Sequence, residues 1–118
     1  MLNLNHKNLE TWKQSMNLVS EVYKLTMDFP KEELFGLSSQ MRRSSISIPS
    51  NISEGSSRES ANERRRFYEI ARSSLVELDT QMEISLLLKY INQNESEKFS
   101  KLINHLFALL TKLKKNTK

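Results

Sequence analysis

The chain has 118 residues, enough for a single domain over 1–118 and too few for two. Two glycines and two prolines are too few for the many turns of sheets, barrels and sandwiches, so a few long elements are expected. The absence of cysteine excludes disulfides, thiolate metal sites and cysteine nucleophiles, and no run of 18 apolar residues occurs. We therefore expect a cytoplasmic protein without membrane association.

The charges are segregated along a chain whose formal net charge is +4. All seven arginines lie within residues 42–72, and residues 98–118 carry six lysines and no acid. Residues 77–97 carry five acids and one lysine. This distribution predicts one arginine-rich surface and one lysine-rich segment, both suited to anions.

Apolar residues recur at spacings of three and four along most of the chain, which is the period of an amphipathic helix. The pattern predicts four helices, at about 9–28, 38–54, 61–92 and 95–115. Because their connections are short, the expected fold is all-α, an antiparallel up-and-down four-helix bundle.

The first predicted helix carries two adjacent apolar stripes, which indicate contacts with more than one neighbouring helix. The first stripe consists of Leu9, Trp12, Met16, Val19 and Tyr23. The second consists of Leu18, Val22, Leu25 and Phe29.

The second predicted helix contains Pro49, which removes one backbone hydrogen bond and predicts a kink. Ser38 is its expected N-cap, and Gly55 stands where a left-handed residue would end it. Serines between its apolar positions would let another helix approach closely.

The starts of the last two helices are predicted from cap-plus-acid pairs. Ser60 and Glu63 match a capping box, and Asn94 with Glu97 repeats the arrangement. The predicted buried stripe of the third helix consists of Phe67, Ala71, Ser74, Leu78, Met82 and Ser85.

The sequence predicts no enzyme, metal site or cofactor. Neither His6 nor His105 has a glutamate three residues before it, so the Glu-x-x-His signature of di-iron bundles is missing. An enzyme would need a pocket with perturbed titratable groups. The carboxylates expected to pair with Arg43 or Arg72 inside the bundle are those of Glu54, Glu77 and Glu83.

The strongest binding candidate is the run Arg64, Arg65 and Arg66. Three consecutive helical positions span about 200°, so these side chains cannot all pack inward, and exposed guanidinium groups suit phosphate oxygens. Tyr68 is expected to add a stacking surface, with Phe67 in the core. The other predicted nucleic-acid-binding residues are Arg58, Arg72, Lys112, Lys114 and Lys115. In the alternative interpretation the arginines pair with neighbouring glutamates, namely Glu59, Glu63 and Glu69.

Residues 40–55 read Gln-Met-Arg-Arg-Ser-Ser-Ile-Ser-Ile-Pro-Ser-Asn-Ile-Ser-Glu-Gly. This string resembles the four-helix-bundle proteins named after the intervening sequences of bacterial 23S ribosomal RNA genes. The likeness covers about residues 9–92. Its other matching pieces are Trp12-Lys13, residues 23–30, 35–37, 70–75 and 77–81, and Arg58.

The resemblance implies a homopentamer with a central channel. It also implies kinship with accessory proteins of diversity-generating retroelements, basic pentamers thought to contact nucleic acid and a reverse transcriptase. It carries over no catalytic residues. On the family motif stand Arg43, Pro49, Asn51, Glu54 and Gly55, which the resemblance marks as architectural residues around the kink and the helix end.

Together these observations predict a non-enzymatic, oligomeric four-helix bundle that binds RNA or DNA through phosphate contacts on basic surfaces. The alternative is a protein–protein scaffold or accessory factor, such as a reverse-transcriptase partner, that does not bind nucleic acid directly.

Overall fold

The computed structural model describes all residues, 1–118, as four α-helices without a strand. The helices are α1 (Glu10–Thr26), α2 (Leu37–Ser56), α3 (Ala61–Leu87) and α4 (Gln93–Asn116), with 3-10 turns at Asn5–Asn8 and Lys31–Glu33. Each helix packs on the one before it, and α4 closes against α1. The predicted all-α four-helix bundle is confirmed. None of the four helices combines the length and apolarity that crossing a membrane requires.

Side-chain caps start α3 and α4, whereas the N-cap residues of α1 and α2, Leu9 and Gly36, make no side-chain cap hydrogen bond. The Ser60 hydroxyl accepts a hydrogen bond from the Glu63 backbone at 3.1 Å, which is one of the two bonds of the predicted capping box. α4 begins two residues early, because Asn92 and Glu95 form a full capping box. The expectation that Ser38 caps α2 is wrong, since Gly36 is the N-cap and Ser38 is buried in the first turn.

α3 ends at Leu87, five residues before the predicted end at 92. Lys89 adopts a left-handed φ of 63°, and the Tyr90 N–H donates to the Ser85 carbonyl at 2.9 Å. The Lys89 N–H also donates to the Leu86 carbonyl, at 3.1 Å. These bonds form a Schellman motif. The sequence does not indicate this motif, because lysine occupies the position where glycine is usual.

α2 runs without interruption through the buried Pro49 to Ser56, and the predicted kink is not confirmed. Gly55 lies inside the helix without a positive φ, so the left-handed role predicted for it is wrong. A Cβ on Gly55 would lie 2.8 Å from the Phe67 Cβ and 3.0 Å from the Tyr68 Cε1. Glycine is therefore needed here because α3 passes too close for a side chain.

The core uses one of the two apolar stripes of α1 in full and the other only in part. The second stripe, with Leu18, Val22, Leu25 and Phe29, is fully buried in the core of the bundle. The prediction that α1 contacts more than one neighbouring helix is confirmed, since it packs on both α2 and α4. In the first stripe only Leu9 and Trp12 pack against the edge of the core, and Met16 and Tyr23 are exposed. Trp12, Met16 and Val19 instead line a shallow apolar groove with Ile46 and Pro49 of α2.

The contact between α2 and α3 is polar as well as close. Ser47 and Ser74 share a hydrogen bond at 2.9 Å, and Ser44 donates to Glu77 at 3.1 Å. The carboxylate pairing expected with Arg43 or Arg72 is wrong: Glu54 lies 3.8 Å from Arg58, and neither Glu77 nor Glu83 forms an ion pair. Hydrogen bonds from serine hydroxyl groups, and not the predicted internal salt bridges, therefore join α2 and α3.

Candidate nucleic-acid interface

A cationic groove lies between the start of α3 and the end of α4. Its volume is about 390 Å³, and no apolar residue lines it. The residues that line it are Arg65, Arg72, Thr111, Lys114, Lys115 and Thr117. Because α3 and α4 are antiparallel, the arginines of one meet the lysines of the other across about 50 residues of sequence. We call this surface the α3–α4 groove.

One carboxylate accompanies the four cations of the α3–α4 groove. Lys114 donates to Glu69 at 2.7 Å, and Arg72 lies 3.5 Å from the other oxygen of that carboxylate. The hydrogen bond from Lys114 lowers the pKa of Glu69, which partial burial opposes. The groove therefore keeps an excess of positive charge.

Arg72 is held rigidly in the α3–α4 groove. Its Nε donates to the Thr111 hydroxyl at 3.1 Å, and its guanidinium carbon lies 4.4 Å from the centre of the Phe107 ring. These contacts orient the planar fork, and such preorganisation favours bidentate contact with an anion.

Arg64 and Arg65 donate to backbone carbonyls near the end of α4. Arg65 reaches the Thr117 carbonyl at 2.8 Å and also the side chain of Asn62. Arg64 donates to the carbonyls of Lys118 at 2.9 Å and Arg58 at 3.0 Å. Neither guanidinium forms an ion pair with a glutamate, so the pairing alternative does not hold for them.

Arg58 and Arg66 flank Phe67 instead of entering the α3–α4 groove. Their guanidinium carbons lie 4.8 and 5.8 Å from the ring centre. Arg66 is also 3.5 Å from Glu63, as the pairing alternative predicted. The assignment of the two aromatic residues is reversed: Tyr68 is 4% exposed with its hydroxyl bonded to Ser56, while Phe67 is only half-buried.

The predicted set is thus divided by the fold. The groove brings together Arg65, Arg72, Lys114 and Lys115, whereas Lys112 is exposed outside it. Sequence reasoning missed Thr111 and Thr117. The spacing of Thr111 from Lys114 and Lys115 on α4 was a usable signal, whereas Thr117 lies just beyond the helix as its C-cap.

Two of the family-motif residues, Pro49 and Asn51, take part in hydrogen bonds within α2. The Asn51 amide donates to the Ser47 carbonyl at 2.7 Å, and the Ser53 hydroxyl donates to the Pro49 carbonyl at 2.9 Å. Trp12 donates in turn to Ser53 at 3.1 Å, which ties α1 to α2. Arg43 is exposed and borders a polar cleft at the α2–α3 contact.

The fold and the α3–α4 groove define a small four-helix bundle with a cationic surface. The chain belongs to the 23S rRNA-intervening sequence protein family, whose model matches residues 7–112. It is similar to the crystal structure of a Bacteroides thetaiotaomicron protein of unknown function from the S23 ribosomal protein family. That similarity has a TM-score of 0.82 at 20% identity and covers 90% of this chain and 96% of the other. Among curated proteins, none matches this sequence significantly.

Proposed function

We propose that this protein binds RNA or DNA through phosphate contacts in the α3–α4 groove. The observation that carries the proposal is the convergence of Arg65, Arg72, Lys114 and Lys115 on one concave surface with a single carboxylate, Glu69. Guanidinium and ammonium groups in such an array recognise phosphate oxygens without reading base sequence. As part of the same proposal, the protein acts in the cytoplasm, as expected from its sequence.

The proposal assigns no catalytic role, because the perturbed titratable groups are dispersed. Burial lowers the pKa of His6, and hydrogen bonds from lysines lower the pKa values of Glu21 and Glu69. A hydrogen bond to Glu33 raises the pKa of Tyr90. These groups lie on different segments, whereas acid–base catalysis requires them to converge on one pocket.

Self-association, as the pentamer that the family resemblance implies, is also proposed. The exposed Met16 and Tyr23, with Ile46 on α2, form an apolar strip that a second copy would cover. Repeating the α3–α4 groove around a ring would multiply its field and add avidity from several weak sites.

The test is the salt dependence of binding to a short RNA and a short DNA of the same sequence. Replacing Arg72, Lys114 and Lys115 with Gln should weaken binding and reduce the slope of log affinity against log salt by about 0.7–0.9 for each lost phosphate contact. The matched control replaces three exposed lysines elsewhere with Gln, namely Lys24, Lys31 and Lys101. Binding that ignores salt, or equal binding by the two triple variants, would refute the α3–α4 groove as the interface.

A second candidate function, a protein scaffold or accessory factor such as a reverse-transcriptase partner, is favoured by the opposite end of the bundle. There Phe35 is 92% exposed, Leu87 77% and Met27 75%. Large apolar side chains left exposed at one end of a domain are typical of a protein-binding surface. A partner that survives nuclease treatment in a pull-down, and is lost with Phe35→Ser, would support this function.

A further inference from the structure

A pocket of about 330 Å³ opens beside the N-terminal 3-10 turn, where that turn packs against the last turn of α2. Leucine side chains form its apolar walls, and amide, imidazole and hydroxyl groups form the rest. The lining residues are Leu4, Asn5, His6, Leu9, Ser56 and Ser57. We call it the His6 pocket.

The polar groups of the His6 pocket are incompletely used within the chain. His6 is 9% exposed, yet its ring makes no hydrogen bond and only meets the edge of Trp12, with the centroids 5.5 Å apart. Burial, and secondarily the charge of Lys7, lowers the pKa of His6, so the neutral ring offers one donor and one acceptor at neutral pH. The exposed Asn5 amide makes no hydrogen bond within the chain, and the exposed Ser57 hydroxyl, which donates to the Glu54 backbone carbonyl, can still accept one.

The His6 pocket lies at the same end of the bundle as the arginines of α3. Arg58 follows Ser57 directly in the chain, and Arg64 donates to the Arg58 carbonyl at 3.0 Å. The same guanidinium donates to Lys118, next to the Thr117 that lines the α3–α4 groove. Arg64 therefore stands between the loop that forms the pocket and the margin of the groove.

We propose that the His6 pocket holds one unstacked nucleobase of a single strand whose phosphates lie on Arg64 and in the α3–α4 groove. This inference rests on the proposed nucleic-acid binding and adds a base-binding subsite to it. The faces of a base are apolar and would pack against Leu4 and Leu9. The edge of the base would meet Asn5, His6 and Ser57. Splayed bases of single strands are bound in this way, by stacking and edge hydrogen bonds, and the stacking tolerates different bases.

The subsite has a spectroscopic reporter, because Trp12 is the only tryptophan and contacts His6. A short single-stranded RNA, a single-stranded DNA of the same length and an abasic oligonucleotide of that length would each be titrated at low salt. Binding would be followed by anisotropy of a label on the oligonucleotide, and pocket occupancy by Trp12 emission. We expect all three to bind, and only the two that carry bases to change the emission of Trp12.

The variant Asn5→Ala/Ser57→Ala should lower affinity for the base-carrying strands by about five- to tenfold, since two hydrogen-bonding groups are lost. Its affinity for the abasic strand should not change. The control is Asn8→Ala/Ser50→Ala, which removes two exposed polar groups from the same 3-10 turn and from α2.

The possible outcomes separate the two proposals. If the abasic strand binds and changes Trp12 emission as RNA does, or if the pocket variant binds every strand normally, the base subsite is wrong and the phosphate interface stands. If none of the strands binds, the proposed function fails and the subsite fails with it.

Discussion

Lys114 of α4 donates a hydrogen bond to Glu69 of α3 at 2.7 Å, which joins the two walls of the α3–α4 groove. The same carboxylate lies 3.5 Å from Arg72. Glu69 thus holds two cations in place before any ligand binds, and it also competes with an incoming phosphate for them. Glu69 therefore positions the cations of the α3–α4 groove but also cancels part of their positive charge.

Glu69→Gln should tighten binding of a short oligonucleotide several-fold at low salt. The substitution removes the competing negative charge while the amide still orients Lys114. Because the groove is open to water, the loss of one charge at about 4 Å alters affinity by about 1 kcal/mol. Fluorescence anisotropy at several salt concentrations measures the effect. Glu97→Gln, at an exposed position near the start of α4, is the control for net charge. Weaker binding by Glu69→Gln would show that the carboxylate positions the cations more than it blocks them.

Gly55→Ala should destabilise the fold by up to about 2 kcal/mol, although alanine is the better helix former. A new Cβ would meet the Phe67 Cβ at 2.8 Å, and that atom is too close to the backbone to swing aside. Overpacking of this kind costs about 1–3 kcal/mol, against about 1 kcal/mol gained in helix propensity. Urea unfolding followed by circular dichroism measures the difference. Ser50→Ala, exposed on the same helix, should unfold as the unaltered protein does, and a stabilised Gly55→Ala would disprove the close approach of α2 and α3.

Lys98→Met should lower stability at neutral pH by less than about 1 kcal/mol, because the pair of Lys98 with Glu21 is partly exposed. The hydrogen bond from Lys98 lowers the pKa of Glu21 in the folded state. The pair therefore stabilises the fold at pH values above the ordinary pKa of a glutamate. This stabilisation disappears as the pH falls through the lowered pKa. Unfolding titrations from neutral to acidic pH should show the variant and the unaltered protein converging. Lys101→Met, without an ion pair, should differ from the unaltered protein at no pH.

Lys89→Gly should stabilise the protein by about 0.5–1 kcal/mol. Lys89 has a φ of 63°, where a side chain destabilises the fold by about 1–2 kcal/mol, and glycine relieves that strain. Glycine also raises the conformational entropy of the unfolded chain, which offsets part of the stabilisation. The midpoint of thermal unfolding should rise. Lys89→Ala is the matched control, since it removes the charge while keeping the Cβ. If both variants behave alike, backbone strain at this position does not limit stability.

The sequence alone predicted which segments are helical. It did not determine which face of a helix points to the core. The spacing of apolar residues and the Ser60 cap predicted four helices, and the family motif pointed to the same bundle. Phe67 and Tyr68 are both aromatic and about 100° apart on α3, so periodicity alone does not say which one faces the core. Tyr68 is the one that faces the core, because it packs against Gly55 and its hydroxyl forms a hydrogen bond with Ser56.

The order of residues therefore established the helical bundle, the separation of arginine-rich from lysine-rich segments and the motif of α2, because these depend on neighbours within a few turns. Only folding decided that Arg65 and Arg72 share one concave surface with Lys114 and Lys115, and that Arg58 and Arg66 flank Phe67. Antiparallel packing of α3 on α4 joins positions that are remote along the chain, and local periodicity carries no information about such a meeting.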